Sequence, residues 1–123
     1  MHGESKAKPS APIRKVYQDG EPVKLNPDSP VLVVGDSHTL VFNEGGDMHC
    51  LAGGVVDHLE ARLGIAVDRA AQKSSGAHGP RIDLARRAFQ DKEMWGKKKL
   101  LFWTFSAREF TQGTWAKGVP AQP

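Results

Sequence analysis

The sequence predicts an α/β fold in which a parallel sheet carries helices on its faces. Two observations lead there. The first is Val31-Leu32-Val33-Val34, a continuous apolar and mostly β-branched run bounded by Pro30 and Gly35. Such a run reads as a strand buried on both faces, which is the habit of parallel sheets. The second is a repeating order of strand, polar loop and helical pattern, seen two and a half times after residue 30. Alternation of this kind builds a parallel sheet through right-handed crossovers.

Each element has its own justification. Residues 1–29 are rich in Lys, Pro, Ser and Gly and lack periodicity, so they read as an extended lead-in. A short strand near Val16-Tyr17 and a turn at Asp19-Gly20 are expected inside it. The strand at 31–34 is followed by a helical pattern beginning near Ser37, then by a loop over 43–50 holding Gly45-Gly46. A helix is predicted over 51–63. Val55, Val56, Leu59 and Leu63 form its apolar stripe, with Asp57, His58, Glu60 and Arg62 facing outward. Gly64 ends it as a C-cap. Ile65-Ala66-Val67 reads as the second strand and 72–79 as a polar loop. Pro80 suits a first helical turn, with Ile82, Ala85 and Phe89 on one face. Residues 100–105 are the third strand, and Ser106-Ala107-Arg108-Glu109 spells a capping box for a short helix.

Composition narrows the function classes. The 123 residues make one domain or part of one, with 39% hydrophobic residues and a net charge of +3. The positive charge collects in the lead-in, at Arg86-Arg87 and at Lys97-Lys98-Lys99. No aromatic residues interleave with it as in a nucleic-acid surface, so these groups read as solvated. Cys50 is single, which excludes an internal disulfide. No run nears the ~18 apolar residues of a membrane span. The amino terminus shows no apolar core of a signal peptide. No cofactor motif appears: neither GxGxxG nor GxxxxGK[ST] is present. A receiver domain would need an acidic cluster that the third strand, ending Thr104-Phe105-Ser106, does not supply. Asp47, His49, Cys50 and His58 match no zinc-ligand spacing, so no metal is expected.

In open parallel sheets, ligands bind beyond the carboxyl ends of the strands. Three loops leave those ends: Gly35-Asp36-Ser37-His38, residues 73–78 and Ser106-Ala107-Arg108-Glu109. The serine in the first loop has two readings. It caps a helix, as Ser and Asp commonly do. Alternatively its hydroxyl is displayed as a nucleophile, beside a free amide able to hold an oxyanion.

The stretch "VLVVGDSHTLVF" resembles the first block of the SGNH/GDSL hydrolases. The segments "GGVVDHLEARLGIAVDRAAQKSSGAHGPRIDLARR" and "KKKLLFWTFSAREFTQGTWAKGVP" are similar to the C-terminal half of the alginate O-acetyltransferase-like proteins, over about residues 15–120. The resemblance implies a three-layer αβα, flavodoxin-like SGNH hydrolase sheet, here incomplete, with residues 30–120 as its C-terminal half. It implies O-acetylation of exopolysaccharide in the periplasm or at a membrane, from an acetyl donor to a polysaccharide acceptor. It makes Ser37 the acetyl-accepting nucleophile, places the Ser37 amide and the loop around Ser75 and Gly76 at the oxyanion, and puts Arg81 and Arg108 on recurrent family positions as oxyanion or substrate-binding candidates, with a surface or capping arginine as the alternative for Arg108.

One departure matters. The family's histidine and its aspartate lie upstream of the serine in an Asp-x-His motif, and common SGNH hydrolases carry Asp-x-x-His near the C-terminus. Before residue 37 this chain has only His2, and after Trp103 it has no histidine. The expectation is a chain that is inactive alone, whose partner is a missing N-terminal half or another chain. His78 leaves the second strand at the correct edge and is the candidate substitute base. His38 adjoins Ser37, and neighbouring side chains diverge, so it reads as a loop or substrate contact. The competing class is a non-catalytic fragment or binding module that keeps the sheet and lacks the base.

Overall fold

The first apolar run becomes the central strand of the molecule. The computed structural model describes residues 10–74 and 76–113. Strand β3 (Val31–Gly35) is buried along its whole length and is flanked by two parallel strands, β4 (Asp68–Ala71) and β5 (Leu100–Thr104). The order β4-β3-β5 confirms a mixed α/β architecture on a three-stranded parallel sheet. Upstream, Asp19 and Gly20, both at positive φ, turn β1 (Tyr17–Gln18) into β2 (Glu21–Pro22). This is the two-residue Asp-Gly hairpin that such backbone angles favour.

Alternation along β3 divides the core in two. Val31 and Val33 pack with Val56 and Leu59 of α2 (Val55–Leu63) and with Val67. Leu32 and Val34 pack on the other face with Ala70, with Leu84 and Ala88 of α3 (His78–Gln90), and with Met94 of α4 (Met94–Lys97). The crossover through α2 steps to one side of β3 and that through α3 steps to the other. Their placement on opposite faces is what two crossovers of one hand require. Fully burying a Val or Leu contributes roughly 1.5–3 kcal/mol, so these two small clusters are the main stabilising term.

Several elements depart from the sequence reading. Helix α2 starts at Val55, because Asp57 reaches back to accept from the Gly54 amide at 2.8 Å and fixes the entry there. Its end agrees: Gly64 adopts φ 71° and its amide bonds Glu60 O. Asp57 and Glu60 are buried rather than outward. Asp57 also accepts from Asn43 Nδ2, whose Oδ1 accepts from Arg69. Glu60 accepts from the Val67 amide at 3.1 Å. That bond takes Val67 N–H out of the ladder, so the second strand begins at Asp68 and not at Ile65, which stays exposed. Helix α3 begins two residues before Pro80 and buries Pro80, Leu84 and Ala88, leaving Phe89 exposed.

The basic clusters are only partly solvated. Asp68 is buried, and its Oδ2 accepts from Arg87 at 2.6 Å and from Lys98 at 2.9 Å. Lys98 also donates to the carbonyls of Pro27 and Ser29. His58 donates from Nε2 to Arg14 O, so it anchors the lead-in instead of standing idle. With Val16 N on Ala52 O and Asn26 N on Val67 O, these bonds dock residues 14–29 onto the domain. No described helix is long and apolar enough to cross a membrane.

Candidate functional site

The site grows from strand register. Gly35 pairs with Ala71 on one side and Thr104 on the other, so all three strands end together and their loops leave one edge. The strand order reverses direction at β3, and in open α/β sheets ligands bind in the crevice at such a switch point. Two bonds cross that crevice between β3 and β5. Thr39 Oγ1 lies 2.5 Å from Thr104 Oγ1, and Asp36 Oδ2 accepts from the Ser106 amide at 3.0 Å. Gly35 makes this closeness possible, since a Cβ there would overlap the hydroxyls of both threonines.

Asp36 is buried and works as the N-cap of α1 (Ser37–Leu40). Its Oδ1 accepts from the His38 amide at 2.9 Å and from the His38 ring Nδ1 at 3.1 Å. The carboxylate thus serves three donors, two local and one in the loop after β5. The cap reading of Ser37 is thereby answered: Asp36 fills that role. Ser37 is half-buried at the carboxyl end of β3, and its hydroxyl makes no hydrogen bond among the described residues.

His38 is largely exposed, and Asp36 fixes its ring. With Nδ1 donating, the neutral ring carries its lone pair on Nε2, which is the arrangement of an oriented histidine base. Sequence reasoning missed this pair although Asp36-Ser37-His38 itself spells Asp-x-His. The signal was hidden because the motif was sought upstream of the serine rather than around it.

The other candidates fall as follows. Ser75 lies outside the described residues. Gly76, at φ 56°, has the Glu109 carboxylate 2.5 Å from where a Cβ would stand, which brings the loops after β4 and β5 together. A carboxylate there competes with an oxyanion for whatever the loop amides offer. His78 opens α3; it is half-buried, and its Nδ1 has no hydrogen-bond partner among the described residues. Arg81 is half-buried in the first turn of α3. Arg108 is exposed just before α5 (Glu109–Gln112), and its amide donates to Ser106 Oγ at 3.3 Å. The expected capping box does not form: Glu109 N bonds the Ser106 carbonyl instead of its hydroxyl, and α5 starts after Arg108 with no side-chain cap. Ser106 N is taken by Asp36, so Glu109 has no amide to reach back to.

Neighbouring loops are braced by charge. Lys73 bonds Asp47 at 2.7 Å and approaches Glu44 at 3.5 Å, tying the loop after β4 to the 3₁₀ turn at Gly46–Met48. The Lys73 ammonium lowers the Asp47 pKa, and Asp47 raises that of Lys73. His49 leans on Phe42 with ring centroids 5.6 Å apart. Among the described residues, no three His, Cys, Asp or Glu side chains group as a metal site. A cavity of about 290 Å³ opens near Tyr17, Glu60 and Ile65, at the opposite, amino-terminal edge of the sheet.

Compared with family models, curated proteins and solved structures, the chain matches none.

Proposed function

We propose that this chain carries an SGNH-type serine nucleophile, Ser37, and serves acetyl transfer to polysaccharide hydroxyls through an acetyl-serine. The observation that carries the reading is the unbonded Ser37 hydroxyl at the switch-point edge, released from capping by Asp36. The order β4-β3-β5 supports the finer fold, since three adjacent parallel strands with this reversal of order occur within a flavodoxin-like sheet. The periplasmic or membrane-associated setting rests on the sequence resemblance alone.

In the reaction, Ser37 Oγ attacks the acetyl carbonyl carbon and gives its proton to a base. The tetrahedral oxyanion collapses, the bond from the acetyl carbon to the donor's leaving atom breaks, and that atom leaves with the proton returned by the base. A sugar hydroxyl then attacks the acetyl-serine, giving its proton to the base, and Ser37 Oγ is released and reprotonated. Water in place of the sugar gives esterase activity. General-base help of this kind is typically worth ~10²–10⁴-fold. No histidine bonds Ser37 among the described residues, so the base is supplied by an added segment or chain. His78 is the internal substitute to test.

A second reading, a non-catalytic module that keeps the sheet, is favoured by the Glu109 carboxylate beside Gly76. Intact-mass analysis after incubation with a chromogenic acetyl ester separates the two readings. Acetyl on Ser37, absent in Ser37→Ala, supports the enzyme. Its absence even when the adjoining coding sequence is included supports the module.

A further inference from the structure

Glu60 carries a charge that its structural task does not need. It is buried on α2, and its Oε1 accepts from the Val67 amide at 3.1 Å. A glutamine would accept the same bond without the cost of burying a charge. The second oxygen, Oε2, makes no hydrogen bond among the described residues, and no cation there pairs with it. Two charges act on Glu60 from nearby. Arg69 is engaged with Asn43, and Asp57 has the same sign as Glu60 itself. Burial pushes the Glu60 carboxyl above its ordinary range, as expected for an acid that lacks a close counter-charge.

Glu60 lines the cavity of about 290 Å³ at the amino-terminal edge of the sheet. Val16, Tyr17 and Val23 of the lead-in form one wall, and Ala61 and Ile65, at the end of α2 and just beyond it, form the other. Among the described residues that line the cavity, none is basic. The last turn of α2 ends here. Gly64 N returns to Glu60 O, whereas the Ala61 carbonyl receives no amide among the described residues. The negative end of the helix dipole therefore adds to the carboxylate.

We propose that this cavity binds a small organic ammonium ion, an amine with a compact apolar body, whose charge is answered by Glu60. The carboxylate and the helix end set the sign of the charge. The apolar walls and the Tyr17 ring suit the body of such a ligand and add cation–π attraction. A metal cation fits less well. A hard divalent ion asks for about six or more oxygen ligands, and no three acidic, His or Cys side chains group among the described residues. The cavity lies at the sheet edge opposite Ser37, so the inference does not depend on Ser37 being reactive.

The test titrates the full chain with benzylamine and follows backbone amides by proton–nitrogen correlation NMR, with benzyl alcohol as the neutral counterpart. We expect saturable shifts at Tyr17, Gly64 and Val67, with an apparent Kd of about 1 mM or tighter, as befits a fragment-sized ligand. Benzyl alcohol should bind about tenfold more weakly or not at all. Glu60→Gln keeps the acceptor for Val67 N and removes the charge. It should weaken benzylamine about tenfold or more, as loss of a charge-assisted hydrogen bond does. Tyr17→Ala, on the exposed hairpin, should weaken it about threefold, the measure of an exposed cation–π contact. Absence of saturable shifts around the cavity overturns the proposal. So does benzyl alcohol binding as well as benzylamine, or unchanged affinity in Glu60→Gln. A lysine-bearing tripeptide forms a separate arm. Tighter binding of it than of benzylamine would assign the cavity to a protein side chain and overturn the small-molecule reading.

Discussion

Residues 35 to 37 divide the labour of one turn. Gly35 leaves room for two threonine hydroxyls, Asp36 ties three donors, and Ser37 is left without a structural task. That division predicts opposite stability effects at neighbouring positions. Gly35→Ala forces a methyl between Thr39 and Thr104 and should cost about 1–3 kcal/mol, the usual range for overpacking. Asp36→Ala leaves the partly buried His38 and Ser106 amides unmatched and removes the cap of α1, and should cost about 0.5–2 kcal/mol. Ser37→Ala should change stability by less than ~0.5 kcal/mol, as for a side chain outside the packing and hydrogen-bond network. Urea denaturation of the three variants checks this. A Ser37→Ala loss above ~1 kcal/mol would restore the capping role, since loss of a cap typically costs that much.

At the scale of elements, two buried carboxylates explain where reading the sequence stopped. The apolar run of β3 and the C-cap glycine of α2 were legible because each has a single physical cause. Asp57 and Glu60 were not, because a buried acid looks like a surface acid until its donors are placed. Asp57 takes the Gly54 amide and Asn43, and Glu60 takes Val67 N. The β4 strand was displaced for the same reason, since Asp68 hides in the core under Arg87 and Lys98. Burial raises the Glu60 pKa, with the nearby Asp57 charge adding to it, while the Val67 amide and Arg69 oppose. The folded state then holds the Glu60 proton more tightly than the unfolded chain does. Below the usual carboxylate range both states are protonated and nothing is lost. As pH rises from there through the raised folded value, stability falls. Glu60→Gln removes that fall and keeps an acceptor for Val67 N. Thermal melts from pH 4 to 8 should therefore show a flatter profile and a higher midpoint at neutral pH for the variant. A lower midpoint throughout would mean that the ionised carboxylate is the stabilising form. Lys98→Ala leaves Asp68 paired with Arg87 and frees two carbonyls, and should cost about 1–3 kcal/mol by urea denaturation, as for buried groups left without a partner.

The whole molecule is a three-stranded parallel sheet, and its candidate nucleophile stands at the carboxyl end of the central strand. The alternation of elements made the parallel sheet legible from the sequence. The partial exposure of β5 was not, because Leu100-Leu101-Phe102 reads the same whether its faces are covered or wet. The carboxylate–histidine pair was overlooked because Asp36 and His38 straddle the serine they were expected to precede. Neither pairing closes a triad, since His38 is turned to Asp36 and His78 does not bond Ser37 among the described residues. The most direct test is acetyl-serine formation, measured by intact mass and peptide mapping with an acetyl ester as donor. It compares the chain alone with the chain joined to its upstream coding segment, each with Ser37→Ala as control. The prediction is little acetylation of the chain alone and Ser37-dependent acetylation of the longer protein. Robust Ser37-dependent turnover by the chain alone, abolished by His78→Ala, would contradict it and place the base within these 123 residues.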